Sequence, residues 1–262
     1  MNRDGLNPDG MNQTVTLRIW RGGAQGGRTQ DYTTEATAGM VVLDAVLDVQ
    51  ARQAPDMAVR WNCKAGKCGS CSAEVNGRPS LMCMTRLSSL PPGEPISIEP
   101  MRAFPPVKDL VTDVSWNYRV KKSIRPFKPR PPDAPDGTWR FGQADADRVQ
   151  EFRKCIECFL CQDVCHVLRD HEHHERFIGP RFFVHAASLE MHPLDVESRV
   201  EDLRKAHGIG LCNITKCCTK VCPEGITITD NAIIPLKERV VDAAYDPLAG
   251  LLRLLRRPAG AR

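Results

Sequence analysis

Hydrophobic and polar positions alternate in the first half of the chain, whereas in the second half they repeat at helical spacing. The segment 14–20 places Leu17 and Ile19 on one face, which predicts a half-buried strand. Apolar residues in the segment 40–50 recur three and four positions apart and predict a helix. Further short strands are predicted at 57–61, at 72–75 with a turn at 76–79 before Leu81, and at 96–98. The expected N-terminal fold is a small mixed sheet with one helix against it.

Helical periodicity dominates the second half, which we expect to be all-helical with cysteine-bearing turns. Gly208 is expected to end one of the helices. Helical structure is predicted over 145–169, where it brackets the second cysteine group, and helices are predicted at 182–191 and 195–207. One or two further helices are predicted over 234–255. The predicted fold class is therefore α+β.

A basic, proline-rich segment separates the two halves. Residues 119–130 hold six basic residues and no acid, and prolines continue beyond them, which is typical of a stiff, exposed connector. We predict a first domain over 12–118, a linker over 119–140, a second domain over 141–250 and a basic tail over 251–262. The tail is apolar and basic at helical spacing, so it could dock on a partner or a membrane surface, or simply close the domain.

Composition narrows the class of protein. The chain has 262 residues, of which 42% are hydrophobic and 26% are charged, so it can fold around a core and is not disordered. A net charge of +4 does not argue for a nucleic-acid partner. The first residues carry no signal or transit pattern, and no apolar run approaches the roughly 18 residues of a spanning helix. We expect a protein that is soluble by itself in a reducing cytoplasm.

The chain has 12 cysteines, and their spacing favours metal binding over disulfides. In a reducing compartment, clustered thiolates hold metal and do not pair. The cysteines form three groups of four, separated by long stretches without cysteine: Cys63, Cys68, Cys71 and Cys83; Cys155, Cys158, Cys161 and Cys165; and Cys212, Cys217, Cys218 and Cys222.

The first group has the spacing C-x4-C-x2-C-x11-C. This is the plant-type [2Fe–2S] pattern, in which three thiolates share one loop, and Gly66 and Gly69 let that loop fold around an inorganic core. Zinc sites prefer paired C-x2-C motifs, so zinc and free thiols are the weaker alternatives. The predicted ligands are Cys63, Cys68, Cys71 and Cys83.

The second group, C-x2-C-x2-C-x3-C, is the run of bacterial ferredoxins, whose fourth thiolate reaches the other cluster. Cys222-Pro223 ends the third group and supplies the other half of that signature. By this crossing rule, a [4Fe–4S] cluster is assigned to Cys155, Cys158, Cys161 and Cys222.

Cys165, Cys212 and Cys218 remain for the other cluster. In an unbroken run a cysteine would stand at position 215, where this chain has Thr215. Three thiolates suit a [3Fe–4S] cluster, in which one iron corner is empty. Cys217 is surplus: we expect a spare buried thiol beside the cluster, and an exchange of roles with Cys218 is the alternative.

Three clusters in this order resemble those of the iron–sulfur subunit of succinate dehydrogenase and fumarate reductase. The resemblance covers roughly residues 12–245 and implies an N-terminal β-grasp ferredoxin domain and an α-helical, bacterial-ferredoxin-like domain. It also implies an electron wire. A flavoprotein subunit would oxidise succinate at its FAD, and electrons would pass through [2Fe–2S], [4Fe–4S] and [3Fe–4S] to a quinone at a membrane anchor. The succinate site would belong to the flavoprotein, so no catalytic residue is assigned here, and the complex would sit at the cytoplasmic face of a bacterial inner membrane.

Near the [3Fe–4S] site the sequence departs from the family pattern. His166 follows Cys165 where many members have proline, and Asn213 follows Cys212 where histidine is frequent. We expect His166, Asn213 and Thr215 to lie near the quinone.

The other histidines are given ordinary roles. His171, His173 and His174 are expected to form a solvated helical face, with a proton-relay, anchor-contact or metal role as the alternative. His185 and His192 are expected to be packing or surface residues.

Three other functions remain open. The same subunit serves quinol:fumarate reductases, which share the wiring and run the opposite reaction. A stand-alone two-domain ferredoxin would carry electrons without a dedicated enzyme, and a zinc protein would be a structural or nucleic-acid-binding module. Iron–sulfur protein is brown whereas zinc protein is colourless, and a dedicated subunit would co-purify with flavoprotein and membrane subunits.

Overall fold

The computed structural model describes residues 13–245, so the predicted tail at 251–262 and the end of the helix predicted at 234–255 lie outside the described residues. The strands are β1 (Gln13–Gly23), β2 (Gly26–Ala36), β3 (Ser72–Val75), β4 (Arg78–Leu81), β5 (Ile96–Glu99), β6 (Pro106–Lys108) and β7 (Val111–Thr112). The helices are α1 (Val42–Arg52), α2 (Ser115–Ser123), α3 (Gln143–Gln150), α4 (Leu160–Asp163), α5 (His166–Arg169), α6 (Pro180–Glu190), α7 (Val200–Lys205), α8 (Cys217–Lys220) and α9 (Ile234–Tyr245). Within the described range, no helix is both long and apolar enough to span a membrane.

The strands form one mixed sheet in the order β4-β3-β5-β1-β6-β7, and β2 pairs with β1 in a long hairpin. β1 and β5 run parallel, whereas the hairpins are antiparallel. Leu17 and Ile19 of β1 share a buried core with Val46 and Val49 of α1, because the alternating face of the strand and the helical stripe meet there. The predicted sheet with one helix against it is confirmed, as is the α+β class.

One predicted strand is wrong. The segment 57–61 has no ladder partner in the sheet. Instead, the Ala58 amide donates to Asp109 Oδ2 at 2.8 Å, and the Leu110 amide donates to the Ala58 carbonyl at 3.2 Å. A carboxylate therefore takes the place of a neighbouring strand. β2 is not predicted because its residues are polar and mostly exposed, so they show no apolar alternation.

The second half is helical as predicted, with shorter helices. α6 covers nearly all of the segment predicted at 182–191, whereas only α7 is helical within 195–207. α7 ends at Lys205 with Ala206 as its C-cap, and Gly208, with φ +64°, lies two residues beyond that cap and starts the next turn. A π-helical turn at Ile228–Ile233 leads into α9.

The predicted linker begins inside a helix, so residues 119–123 belong to a regular element and not to the irregular connector that was predicted. α2 continues through Ser123 because it buries Val120 in the second core. Further along, the fully buried Arg199 donates to the carbonyls of Arg125 and Pro126, both at 2.8 Å. The connector is therefore fastened to the C-terminal half.

The two cores interlock across the sequence boundary. Leu160 comes from the second half but packs in the first core, and Phe104 comes from the first half but packs in the second. Arg169 of α5 also donates to the fully buried Glu74 of β3 at 3.0 Å. These contacts bring the three cysteine groups near one another.

Candidate metal centres

Backbone amides surround the thiols of the first group. Cys63 Sγ accepts the amide hydrogens of Ala65 at 3.4 Å and Lys67 at 3.3 Å. Cys68 Sγ accepts that of Ser70 at 3.5 Å. Hydrogen bonds to the sulfurs are one of the means by which proteins tune iron–sulfur centres, so this loop has the donors that such a centre needs.

Two glycines give the first loop its shape. Gly66 has φ +67° and Gly69 has φ +69°, a backbone region that strongly favours glycine. A β-carbon on Gly66 would stand 2.9 Å from Met84 Sδ, and one on Gly69 would stand 2.6 Å from Cys158 Cα. Both positions therefore favour glycine for conformation, and Gly69 also needs it for space, because its neighbour is backbone, whereas the exposed Met84 side chain can move away from Gly66.

The thiols of the first site differ in burial. Cys71 and Cys83 are buried, whereas Cys63 is exposed. Burial raises the pKa of Cys71 to about 12, and Cys83 lies within hydrogen-bonding distance of it. Burial also acts upward on Cys68, but hydrogen bonds with Ser70 and Cys63 outweigh it and lower the pKa of Cys68 to about 6. Cys68 therefore ionises readily, as a metal ligand must.

The second site is a cavity whose wall contains four thiols from both cysteine-rich runs. Burial raises the pKa of Cys158 to about 12 and holds that of Cys161 well above its usual range. A cationic metal core offsets this penalty because it favours the thiolate. The thiols on the wall are Cys155, Cys158, Cys161 and Cys222, and the other lining residues are Ile156, Phe159, Arg181, Val184, Pro223, Glu224, Ile226 and Ile228.

The third site gathers the remaining thiols. Burial raises the pKa of Cys165 to about 12, and the charges of Cys217 and Cys212 act in the same direction. Cys218 is buried and its Sγ lies 3.5 Å from Thr229 Oγ1.

Cys217 is less buried than Cys218, and its Sγ lies 3.3 Å from Thr215 Oγ1. The hydrogen bond between the adjacent thiols raises the pKa of Cys218, as burial does too. The same bond lowers the pKa of Cys217 to about 5, together with hydrogen bonds to Thr215 and His166.

The second and third sites are built on the same backbone unit, repeated 57 residues later. Left-handed residues Glu157 and Phe159 recur as Ile214 and Lys216, and α4 recurs as α8. The cysteine spacing alone indicates part of this repeat, but the left-handed residues are known only from the structure. The matching positions are Cys155 with Cys212, Cys158 with Thr215, Cys161 with Cys218 and Cys165 with Cys222.

The repeat gives the two adjacent thiols of the third site different counterparts in the second site. Cys218 is the counterpart of Cys161, which lines the cavity of the second site. Cys217 is the counterpart of Leu160, a core residue at the start of α4 that is 1% exposed. Thr215 stands at the position of the repeat that Cys158 occupies in the second site.

Histidines cluster beside the third site. His166 is near enough to Cys217 to contribute to the lowering of that thiol's pKa. Its ring stands 6.1 Å from that of His171, which stacks on His173 at 5.9 Å. Asn213 is exposed on the neighbouring loop. Of the residues expected near the quinone, His166 and Thr215 are thus brought to the same thiol.

The helix predicted for His171, His173 and His174 is wrong: the chain bends at 171 and turns at 174–176. His171 is exposed, as predicted, whereas His173 and His174 are half-buried. His174 is partly buried: its Nε2 lies 2.8 Å from the Ala103 carbonyl and its ring packs edge-on against Trp116 at 4.8 Å. Among residues 13–245, no three His, Cys, Asp or Glu side chains converge closely enough to hold a single metal ion, a convergence that the thiols around a multi-iron cluster do not need.

His185 and His192 are packing residues, as expected. Burial lowers the pKa of His185 to about 4, and the nearby Arg181 adds to this effect. His192 Nδ1 accepts the amide hydrogen of Leu194 at 3.2 Å, and its ring packs against Phe127 at 5.1 Å.

Arg181 is not among the predicted site residues, although the structure puts it in the wall of the second cavity. It lies beside the left-handed Glu157, to which its Nη2 donates at 2.6 Å. One sequence signal could have identified Arg181: it is a charged residue within the apolar segment 177–187. A charged residue in a segment that is otherwise expected to be buried usually has a specific partner.

Comparison with known proteins identifies both halves. A 2Fe-2S iron-sulfur cluster binding domain matches residues 16–118, and a 4Fe-4S dicluster domain matches residues 151–226. The fumarate reductase iron-sulfur subunit of Mycobacterium tuberculosis is 32% identical over 201 residues, which cover 75% of this chain and 80% of that protein. The succinate dehydrogenase iron-sulfur subunit of Paracoccus denitrificans is 27% identical over 241 residues, 90% of this chain and 91% of that protein. A chain in the structure titled Mycobacterium smegmatis Sdh1 complex in the apo form is 58% identical, with a TM-score of 0.87 over 91% of this chain and 100% of that one.

Proposed function

The chain belongs to the family of iron–sulfur subunits of succinate dehydrogenase and fumarate reductase, and on this premise we propose that it carries electrons from a flavoprotein to a quinone through three iron–sulfur centres. It is an electron-transfer subunit of an oxidoreductase complex, with a [2Fe–2S] domain followed by a [4Fe–4S] dicluster domain. The observation that carries the proposal is the gathering of the thiols at three sites, two of which repeat one backbone unit.

The first two proposed ligand sets are supported by which thiols lie together. Support for the [2Fe–2S] set comes from the amide donors to two of its sulfurs and from the glycine-dependent loop. Support for the [4Fe–4S] set comes from the common cavity. The proposed ligands are Cys63, Cys68, Cys71 and Cys83 for [2Fe–2S], and Cys155, Cys158, Cys161 and Cys222 for [4Fe–4S].

We assign Cys165, Cys212 and Cys218 to a [3Fe–4S] cluster. The repeat supports Cys218 as the ligand, because it is the counterpart of Cys161. Cys217 then remains a thiol beside the cluster, in contact with Thr215.

When bound, iron–sulfur clusters supply one-electron centres whose potentials depend on charge, hydrogen bonding and exposure. The chain itself holds the first and second sites in direct contact. Gly69 lies against Cys158, and the single hydroxyl hydrogen of Ser72 is within reach of both the Gly69 carbonyl, 2.8 Å from Oγ, and the Cys158 carbonyl, 2.9 Å from Oγ. The loop of one site therefore forms part of the support of the next, which favours a wire over independent carriers.

We place the flavoprotein, with its FAD, at the first site. Cys63 is exposed there, and Trp61 and Met84 expose 44% and 60% of their surfaces. Exposed apolar side chains around a redox site suit a partner surface.

The membrane anchor and the quinone are proposed at the third site. Leu211 and Ile214 are exposed on either side of Cys212 and Asn213, and we keep His166, Asn213 and Thr215 as the quinone-proximal residues. The complex would then lie at the cytoplasmic face of a bacterial inner membrane. The domain limits remain those proposed from sequence: 12–118, 119–140 as linker, 141–250, and a tail at 251–262.

The test is to isolate the native complex and to measure succinate-driven reduction of ubiquinone and menaquinone analogues, and then fumarate reduction by the quinols. Succinate oxidation as the faster direction supports the proposal. Faster fumarate reduction would assign the chain to the quinol:fumarate reductases, as the name of the Mycobacterium tuberculosis relative suggests. A brown protein that purifies alone, without flavin, would contradict a dedicated subunit.

A further inference from the structure

Arg181 is a buried cation in the wall of the second cavity. It is the residue after Pro180 at the start of α6, and only 6% of its surface is exposed. The cavity wall that contains it also contains the four thiols of the second site. Arginine is almost never buried without partners, so its hydrogen bonds need a full account.

Part of the guanidinium is satisfied by protein. Nη2 donates to Glu157 Oε1 at 2.6 Å, and the group lies 5.7 Å from the Phe182 ring centre, which orients its plane. Nε is buried and has no hydrogen-bond partner among the described residues. Leaving a buried donor unsatisfied costs about 1–3 kcal/mol, more if it is charged. An acceptor is therefore expected on the cavity side.

The local charge balance is positive, because Glu224, the acidic residue of the cavity wall, is paired with Lys67 at 3.3 Å, and the other nearby carboxylate, Glu157, has two cationic partners. Glu157 accepts from both Arg181 and Lys121, each at 2.6 Å, so one carboxylate faces two cations. His185 also faces Arg181, and burial keeps its pKa at about 4, so it adds no charge at neutral pH. Lys121 is 41% exposed and is not part of the cavity wall, which leaves Arg181 as the cation close to the thiols.

We propose that Arg181 donates its Nε–H to a sulfur of the cluster in the second site and so raises that cluster's reduction potential. The inference rests on the proposed [4Fe–4S] ligand set. Reduction adds one negative charge to the cluster, and both a hydrogen bond to sulfur and a neighbouring positive charge stabilise the reduced form. Arg181 is a positioning and tuning residue for electron transfer, and it is fixed by Glu157.

The first test is a redox titration of the native complex, monitored by electron paramagnetic resonance of the reduced [4Fe–4S] cluster. Arg181→Met removes charge and donor, and should lower the equilibrium constant for reduction at least tenfold, which is about 59 mV for one electron. Arg181→Lys keeps the charge but lacks the planar Nε–H, so its cluster should have a reduction potential between those of the wild type and of Arg181→Met. Lys121→Met is the matched control: it removes the other cation of the same carboxylate, outside the cavity, and should shift the potential clearly less than Arg181→Met.

The second test needs no variant. Protein labelled with nitrogen-15 only in arginine should show a hyperfine coupling between one arginine nitrogen and the reduced cluster in pulsed resonance spectra. Absence of that coupling, or an Arg181→Met cluster with unchanged potential, overturns the inference. If Arg181→Met fails to assemble, the labelled wild-type protein decides. Failure of the proposed function looks different, because the wild-type complex would then give no [4Fe–4S] signal at all.

Discussion

Gly69 lies so close to Cys158 that a β-carbon on the glycine would stand 2.6 Å from the cysteine's Cα. The first residue belongs to the loop of the [2Fe–2S] domain, and the second is a proposed ligand of the next centre. This contact joins two thiol groups that are far apart in sequence, and it sets how closely the two sites approach.

Gly69→Ala should separate these sites and destabilise the protein. A left-handed φ of +69° costs alanine about 1–2 kcal/mol, and overpacking against Cys158 adds about 1–3 kcal/mol. The denaturation midpoint and the magnetic coupling between the first two reduced clusters are the measurements. Gly77→Ala is the matched control, since it has φ +71° and nothing within 4 Å of the added carbon. Equal losses in the two variants would show that the contact with Cys158 does not matter.

Cys218→Ser should remove the three-iron resonance signal of the oxidised protein, whereas Cys217→Ser should keep it. The reason is the repeat, in which Cys218 matches the cavity-lining Cys161 and Cys217 matches the apolar Leu160. Resonance spectra of both variants in the intact complex check this. Loss of the signal in Cys217→Ser, with the signal retained in Cys218→Ser, would mean that the two thiols have exchanged roles.

Arg199→Met should be strongly destabilising. Arg199 is fully buried, and its Nη2 donates to Asp195 Oδ2 at 2.8 Å and to the Pro126 carbonyl at 2.8 Å. Removing one member of a buried pair leaves an uncompensated charge and costs about 3–5 kcal/mol. The free energy of unfolding in denaturant measures the change.

Arg204→Ala serves as the control for Arg199. Arg204 is exposed and pairs with Glu201 at 3.4 Å, so its removal should cost at most about 1 kcal/mol. Comparable losses in the two arginine variants would contradict the role of Arg199 as the residue that holds the connector.

His185→Leu should change how stability depends on pH. Burial, first, and the nearby Arg181 lower the folded-state pKa of His185 to about 4, whereas an unfolded histidine has a pKa near 6.5. Between these values the unfolded chain binds the proton and the folded chain does not, so His185 lowers stability as the pH falls from about 6.5 towards 4. The difference in melting temperature between variant and wild type, measured across this window, should therefore grow in favour of the variant at lower pH. A difference that stays constant with pH would show that His185 does not titrate in this way.

Local patterns predicted much of the fold. β1, α1 and the β3–β4 hairpin follow from alternation, helical spacing and the Asn76-Gly77 turn, whose two residues have φ +47° and +71°. β2 could not be predicted in this way, because it is a polar strand that is stabilised by pairing with β1 along its whole length. The false strand at 57–61 fails for the opposite reason, since Asp109, distant in sequence, takes over its amide.

The sequence by itself determined the pattern on which the proposed chemistry rests: the cysteine spacing, the two kinds of ferredoxin run, and Thr215 where an unbroken run would have a cysteine. Spacing has this power because ligands that share one loop must lie a fixed number of residues apart to reach one cluster. Only the tertiary structure decided which groups face one another across the chain. Gly69 on Cys158, the left-handed repeat that separates Cys217 from Cys218, and the unpaired Nε of Arg181 in a cavity wall all depend on how two interlocking cores pack. Such packing joins residues far apart in sequence, and no local pattern records it.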